Sequence, residues 1–102
     1  MVALTYCFDL DNTLCVTIGT EYESSQPINS RIQIVNKLFD SGHTIKIFTA
    51  RGSGTGLDWT KVTKSQLQSW GVRYHELLFG KPVADFYVDD KAKDLAFFLD
   101  LP

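Results

Sequence analysis

Val2-Ala3-Leu4-Thr5-Tyr6-Cys7-Phe8-Asp9-Leu10-Asp11-Asn12-Thr13 is the stretch that decides the fold. Residues 3–9 are β-rich and apolar, and they end at an acidic turn. That pattern predicts a buried strand that delivers polar residues at its C-terminal end. Two carboxylates two residues apart at a strand end can aim at one point. One can attack phosphorus while the other handles a proton. Phosphoryl transfer to an aspartate divides one very slow hydrolysis into two easier steps. Uncatalysed monoester hydrolysis is so slow that enzymes supply on the order of 10²¹-fold, which calls for positioning, metal charge and acid–base help together. Taken alone, the same cluster also reads as an acidic loop capping a turn.

Outward from this stretch, residues 14–26 contain Thr, Ser and Gly with scattered apolar positions, and they predict a small hairpin or an extended flap. Pro27 to Phe39 carries Ile28, Ile32, Val35, Leu38 and Phe39 at helical spacing with Pro near the start, and Ser41-Gly42 stops it. Residues 44–49 predict a strand, and residues 50–57 a Gly-rich loop. Asp58 caps a helix running to about Trp70, with Leu67 and Trp70 inward and Gly71 at its end. Val72 to Phe79 holds a third strand. Gly80-Lys81-Pro82 is a turn, Phe86 to Asp89 a fourth strand, and Lys91 to Leu99 a closing helix. Strand–helix alternation predicts an α/β fold: a Rossmann-like three-layer sandwich with a central, mainly parallel sheet and helices on both faces. Right-handed crossovers line the strand C-termini along one edge, where open α/β sheets bind ligands. Asp9, Asp11, Thr49, Asp89 and Asp90 fall at those ends.

The bulk properties fit one small domain over 1–102. Hydrophobic residues make up 44% and charged residues 22%, which excludes disorder as the leading reading. The net charge is −2 with no basic run, so nothing suggests binding to nucleic acid or an anionic membrane through bulk charge. Positive charge for a phosphate must then be gathered locally, from a metal, a lysine or backbone N–H groups. The first apolar stretch is too short for a signal peptide, and no apolar run approaches a membrane span. Cys7 and Cys15 read as buried free thiols. A cytoplasmic location is the expectation.

Three further clusters carry chemistry. Thr49-Ala50-Arg51-Gly52 offers a hydroxyl and exposed backbone N–H groups after a strand, able to cradle phosphate oxygens. Lys81 is an isolated cation in its turn. Asp89-Asp90 follows Phe86-Tyr87-Val88, and adjacent acids ending a buried strand are costly unless a cation compensates. A hard ion such as Mg²⁺, with oxygen ligands and retained waters, meets that need. Each cluster alone has an ordinary structural reading: a helix cap, a strand-end threonine, a surface lysine.

Together, in this order, they resemble the haloacid dehalogenase (HAD) superfamily of phosphohydrolases. That family carries an Asp-x-Asp-x-Thr motif, a Ser/Thr motif, a lysine and a terminal acidic pair. The positions here are Asp9, Asp11 and Thr13; Thr49; Lys81; Asp89 and Asp90, and the resemblance spans nearly the whole chain. It implies that Asp9 is the nucleophile and a Mg²⁺ ligand. Asp11 would be the general acid, then the base, and would lend its backbone carbonyl to the metal. Thr49 and Lys81 would hold the transferring phosphoryl group. Asp89 would bind Mg²⁺, with Asp90 beside it as a ligand or a support for metal-bound water.

Asp11 favours phosphate chemistry over halide displacement within this resemblance. The intervals from Thr13 to Thr49 and from Thr49 to Lys81 are filled by core elements, so the chain resembles the capless subgroup. An open site suits a large substrate, or one covered by a second copy of the chain. The flap at 14–26 and the loop at 51–58 would then set specificity. Arg51 would contact a second anionic group, and Tyr22 and Trp59 would stack on a sugar or base; for all three, packing or solvent exposure is the competing expectation. His43 and His75 read as structural. Thr-Ala-Arg-Gly, Gly-Leu-Asp-Trp, Phe-Gly-Lys-Pro and Tyr-Val-Asp-Asp-Lys also look like small capless members associated with capsule or surface-polysaccharide synthesis, which implies a sugar phosphate or nucleotide-linked sugar as substrate. The rival classes are a non-catalytic binding or scaffold protein on the same fold and a phospho-accepting receiver domain. A receiver places its acidic pair early, its phosphorylated Asp mid-chain and its lysine late, which is not the order here.

Overall fold

The structure is a computed structural model and describes residues 2–80 and 84–88. Its elements are β1 (Thr5–Asp9), β2 (Cys15–Val16), β3 (Gln26–Pro27), α1 (Asn29–Asp40), β4 (Thr44–Phe48), α2 (Thr60–Ser69), β5 (Glu76–Leu78) and β6 (Phe86–Val88). A 3-10 turn at Tyr22–Ser24 interrupts the segment between β2 and β3. The main sheet has the order β5-β4-β1-β6, and all its pairs are parallel. The fold is α/β, as the alternation predicts.

Register explains the core. Tyr6 pairs with Ile45, and Phe8 with both Ile47 and Val88. Paired residues of parallel strands share a face, so these five side chains form one apolar surface. Ile32 and Val35 of α1 and Leu67 of α2 complete the same cluster. Both described helices therefore pack on one face. The topology requires it: β1, β4 and β5 succeed one another in one direction across the sheet, and right-handed crossovers in one direction stay on one side. On the opposite face Cys7 and Phe48 are buried as well. The expected closing helix at 91–99 lies outside the described residues.

The N-terminal ends of the strands are fastened by side chains. The Leu4 N–H donates to His43 Nδ1 at 3.1 Å, and the Ile45 N–H donates to His75 Nδ1 at 3.0 Å. Asp85 Oδ2 accepts from the Thr5 N–H at 2.8 Å, while the Asp85 N–H donates to the Thr5 carbonyl at 3.1 Å. Both histidines thus serve the backbone ladder, and each also packs on a ring, His43 on Tyr6 and His75 on Phe39.

Two boundaries differ from expectation. Pro27 is in β3, paired with Cys15, and α1 begins at Asn29. In a two-stranded ribbon Pro sits at an edge, where its missing N–H costs no ladder bond. The Ile28 N–H still donates to the Leu14 carbonyl at 2.9 Å, so Ile28 ends the ribbon before its own carbonyl starts the helix. The flap at 14–26 is accordingly a short antiparallel hairpin. The third strand is also shorter than 72–79. Val72 donates its N–H back to the Leu67 carbonyl at 3.0 Å across Gly71, whose φ of 71° makes that return possible. Val72 therefore closes α2 instead of opening β5.

Candidate active site

Asp9 is the last residue of β1, and the chain turns sharply after it. The Leu10 carbonyl accepts N–H groups from Thr13 (3.3 Å), Leu14 (2.9 Å) and Cys15 (3.3 Å). Asn12 takes a positive φ of 63°, a conformation Asn tolerates because its side chain bonds locally. Here its Oδ1 accepts the Thr17 N–H at 3.0 Å. This tight turn sets Asp11 beside Asp9. Thr13 is fully buried, and its hydroxyl donates to Asp9 Oδ2 at 3.3 Å. Thr49 follows the neighbouring strand β4, its N–H held by the Leu78 carbonyl at 3.0 Å. Its hydroxyl donates to Asp11 Oδ2 at 3.3 Å and accepts the Arg51 N–H at 3.1 Å. Asp9, Asp11, Thr49, Ala50 and Arg51 are thus brought to one sheet edge.

Arg51 corrects an expectation. Its guanidinium is not held out towards solvent or a ligand: the side chain is fully buried and paired with Asp11 at 2.8 Å. Its Nε lies 3.2 and 3.1 Å from the two Asp11 oxygens. Nη2 reaches Asp11 Oδ1 and, at 3.4 Å, Ser25 Oγ. Nη1 donates to Thr63 Oγ1 at 3.1 Å and to Gln66 Oε1 at 2.6 Å. The Tyr22 ring lies 4.9 Å below the guanidinium carbon, a cation–π contact. Tyr22 is in turn packed edge-on against Trp59 at 5.0 Å. Tyr22 thus packs against Arg51 and Trp59, the competing expectation for it, while staying half-buried.

A cavity of about 460 Å³ opens on the other side of Asp9. Asp9, Phe48, Leu57, Trp59 and Phe79 form much of its wall, with residues 49–53 and Gly56 closing one side. Gly52 makes that loop possible. Its φ is 82°, and a Cβ there would lie 2.1 Å from the Leu57 carbonyl oxygen. Trp59, not the expected Asp58, holds the N-cap position of α2; Asp58, one residue earlier, accepts the Thr60 N–H at 2.9 Å, and hydrogen bonds from the Thr60 side chain and backbone hold its carboxyl below the ordinary value.

Cys15 is a buried free thiol, as is Cys7. Burial pushes the Cys15 thiol above its usual 9.0, and nearby Asp11 adds to the rise, against opposing effects of Thr17, Arg51 and Ser25. A neutral thiol facing the Leu10 carbonyl and Thr17 is a packing and hydrogen-bonding group.

Lys81, Asp89 and Asp90 lie outside the described residues. Among the described residues no group of three or more His, Cys, Asp or Glu stands together for a metal. What is present at the cavity is the Asp9 carboxylate, a hard oxygen donor that fits a cation such as Mg²⁺.

No protein-family model matches the chain, and no curated protein matches it. Solved structures do. A structural-genomics target from Vibrio cholerae is similar at 25% identity with a TM-score of 0.74, over 97% of this chain and 89% of that one. A chain of a Pnkp1/Rnl/Hen1 RNA repair complex is similar at 15% identity and a TM-score of 0.63, over 90% of this chain and 29% of that one. This second likeness is one of fold alone. No helix among the described residues is long and apolar enough to cross a membrane.

Sequence reasoning missed the residues around Arg51: Thr17, Ser25, Thr63 and Gln66. One signal was available. Thr63 precedes Leu67 by one helical turn, so it is a polar residue on the inward stripe of α2. A buried hydroxyl there requires a partner. Nothing in the spacing of Thr17 and Ser25 marks them, because a hairpin brings them together.

Proposed function

We propose that this chain is a Mg²⁺-dependent phosphomonoester hydrolase that works through an aspartyl-phosphate on Asp9. The observation that supports this reading is the division of labour at the end of β1. Asp9 faces the open cavity, while Asp11, two residues on, is held beside it by Arg51, Thr17 and Thr49. In the first step an Asp9 carboxylate oxygen bonds to phosphorus as the bond from phosphorus to the leaving oxygen breaks. Asp11 gives that oxygen a proton. In the second step Asp11 takes a proton from water, the water oxygen bonds to phosphorus, and Asp9 leaves as a carboxylate with inorganic phosphate as product. The Thr49 hydroxyl would turn from Asp11 to the phosphoryl oxygens, and the Ala50 backbone N–H would steady them beside it. On the resemblance, Lys81 would do so too, and Asp9, the Asp11 carbonyl, Asp89 and Asp90 would hold the metal. Bound Mg²⁺ supplies positive charge against the phosphoryl oxygens.

The substrate we assign is a phosphorylated small molecule entering the cavity beside Trp59. The resemblance of Thr-Ala-Arg-Gly, Phe-Gly-Lys-Pro and Tyr-Val-Asp-Asp-Lys to phrases of small capsule and surface-polysaccharide proteins suggests a sugar phosphate or a related metabolite. No cap covers the cavity among the described residues, so the loop at 50–58 and the hairpin would set selectivity, with a second copy of the chain as a further cover. Phosphate release from an aryl phosphate tests the reading. It is expected to need Mg²⁺ and to vanish with a chelator or with Asp9→Asn. Full activity of Asp9→Asn would remove the covalent step. A stable aspartyl-phosphate without turnover would favour a receiver instead.

A further inference from the structure

We infer that Arg51 is a positioning residue that aims Asp11 Oδ2 at the leaving group, and not a substrate-binding cation; this rests on the phosphatase reading above. The hydrogen-bond count carries it. A guanidinium has five N–H donors. Here Nε serves Asp11, the two on Nη2 serve Asp11 and Ser25, and the two on Nη1 serve Thr63 and Gln66. None is left for a ligand, and one face of the ion is covered by Tyr22.

The same network makes the two Asp11 oxygens unequal. The Thr17 hydroxyl donates to Oδ1 at 2.7 Å, so in the 2.6 Å pair between Thr17 and Ser25 the proton comes from Ser25. Ser25 in turn accepts from Arg51 Nη2. Arg51, Ser25, Thr17 and Asp11 Oδ1 therefore form a closed ring in which every bond has a defined direction. Oδ1 takes short bonds from Thr17 and Nη2 and a longer one from Nε. Among the described residues Oδ2 takes only the Nε contact at 3.1 Å and the Thr49 hydroxyl at 3.3 Å. Oδ2 is the less committed oxygen, which leaves it the one available to a leaving group. Nη1 anchors this assembly to α2, and Gln66 Nε2 ties the same helix to the Tyr22 carbonyl in the hairpin at 2.6 Å.

The experiment compares phosphate release by the full chain with Mg²⁺ from a series of aryl phosphates, from very good to poor leaving groups, and from an alkyl phosphate. A good leaving group departs without a proton, whereas a poor one needs it. Arg51→Lys is expected to lower kcat on the poor leaving groups by about 10²-fold, within the usual worth of a placed acid. On the best leaving group the loss should be several times smaller, and KM should change little throughout. Gln66→Leu, at the margin of the network, should show the same leaving-group pattern more weakly, and it carries the test if Arg51→Lys lacks a cooperative melt. A rise in KM that is the same for every substrate would overturn the inference in favour of an anion contact. An equal loss of kcat on all substrates would overturn it in favour of a merely structural role. A wild-type chain inactive on the whole series would instead sink the phosphatase reading, and the inference with it.

Discussion

The two sides of the β1 terminus are built on opposite plans. On the Asp11 side a carboxylate and a guanidinium are enclosed by hydroxyls, an amide and an aromatic ring, and among the described residues no buried side-chain polar atom lacks a partner. On the Asp9 side a carboxylate borders a cavity of about 460 Å³ walled largely by apolar side chains and a glycine-bearing loop. A proton donor must be aimed, and a satisfied network fixes direction. A nucleophile must be reached, and only an open wall admits an electrophile. The contrast teaches that two acids of one short motif can be given different surroundings, and on the proposed mechanism those surroundings divide their tasks.

The contrast can be broken most severely at Asp9. Asp9→Asn should lower kcat by on the order of 10⁴-fold or more while the melting temperature changes far less, because asparagine keeps the shape and an oxygen acceptor for the Thr13 hydroxyl. Gly52→Ala should act on the cavity wall. A Cβ facing the Leu57 carbonyl at 2.1 Å, on a backbone with φ of 82°, forces the loop to shift. A stability loss of about 1–3 kcal/mol is expected in chemical denaturation, together with a raised KM. An unchanged KM would separate this loop from the substrate. Thr63→Val keeps shape on the enclosed side and removes one acceptor from Arg51 Nη1. Leaving a buried donor unmet costs about 1–3 kcal/mol, read from the denaturation midpoint. A neutral result would show that the network tolerates gaps.

The smallest effect is the pH dependence from Cys15. Its thiol titrates higher in the folded chain than in the unfolded one, so folding favours the protonated form. That contribution is fully present below the usual 9.0 and is lost as pH rises through the higher folded value. Cys15→Ala should flatten the alkaline fall in stability, measured by denaturation across that range.

Much of this was legible in the sequence because it depends on local pattern. The apolar run before Asp9, the helical spacing around Ile32 and Val35, and the glycines after each helix are set by neighbours in the chain. The parallel sheet and the placement of Asp9, Asp11 and Thr49 on one edge follow from the alternation of elements. The role of Arg51 was not legible. Its partners come from the first turn, the hairpin and α2, and only the tertiary fold decides whether a loop arginine turns inward. The start of α1 was misread for a related reason. Pro27 suits a first helical turn, but pairing with Cys15 claimed it for the ribbon. The expectations for Lys81, Asp89, Asp90 and the closing helix concern residues outside those described.

The central claim is that Asp9 is phosphorylated during turnover. The most direct test is to quench the Mg²⁺-loaded chain in acid while it is hydrolysing an aryl phosphate, reduce it with borohydride, and map the peptides by mass spectrometry. Borohydride converts an aspartyl-phosphate to homoserine. The account predicts homoserine at position 9, absent without substrate and absent in Asp9→Asn. Aspartate retained at position 9 while phosphate is released, or homoserine at position 11, would contradict it.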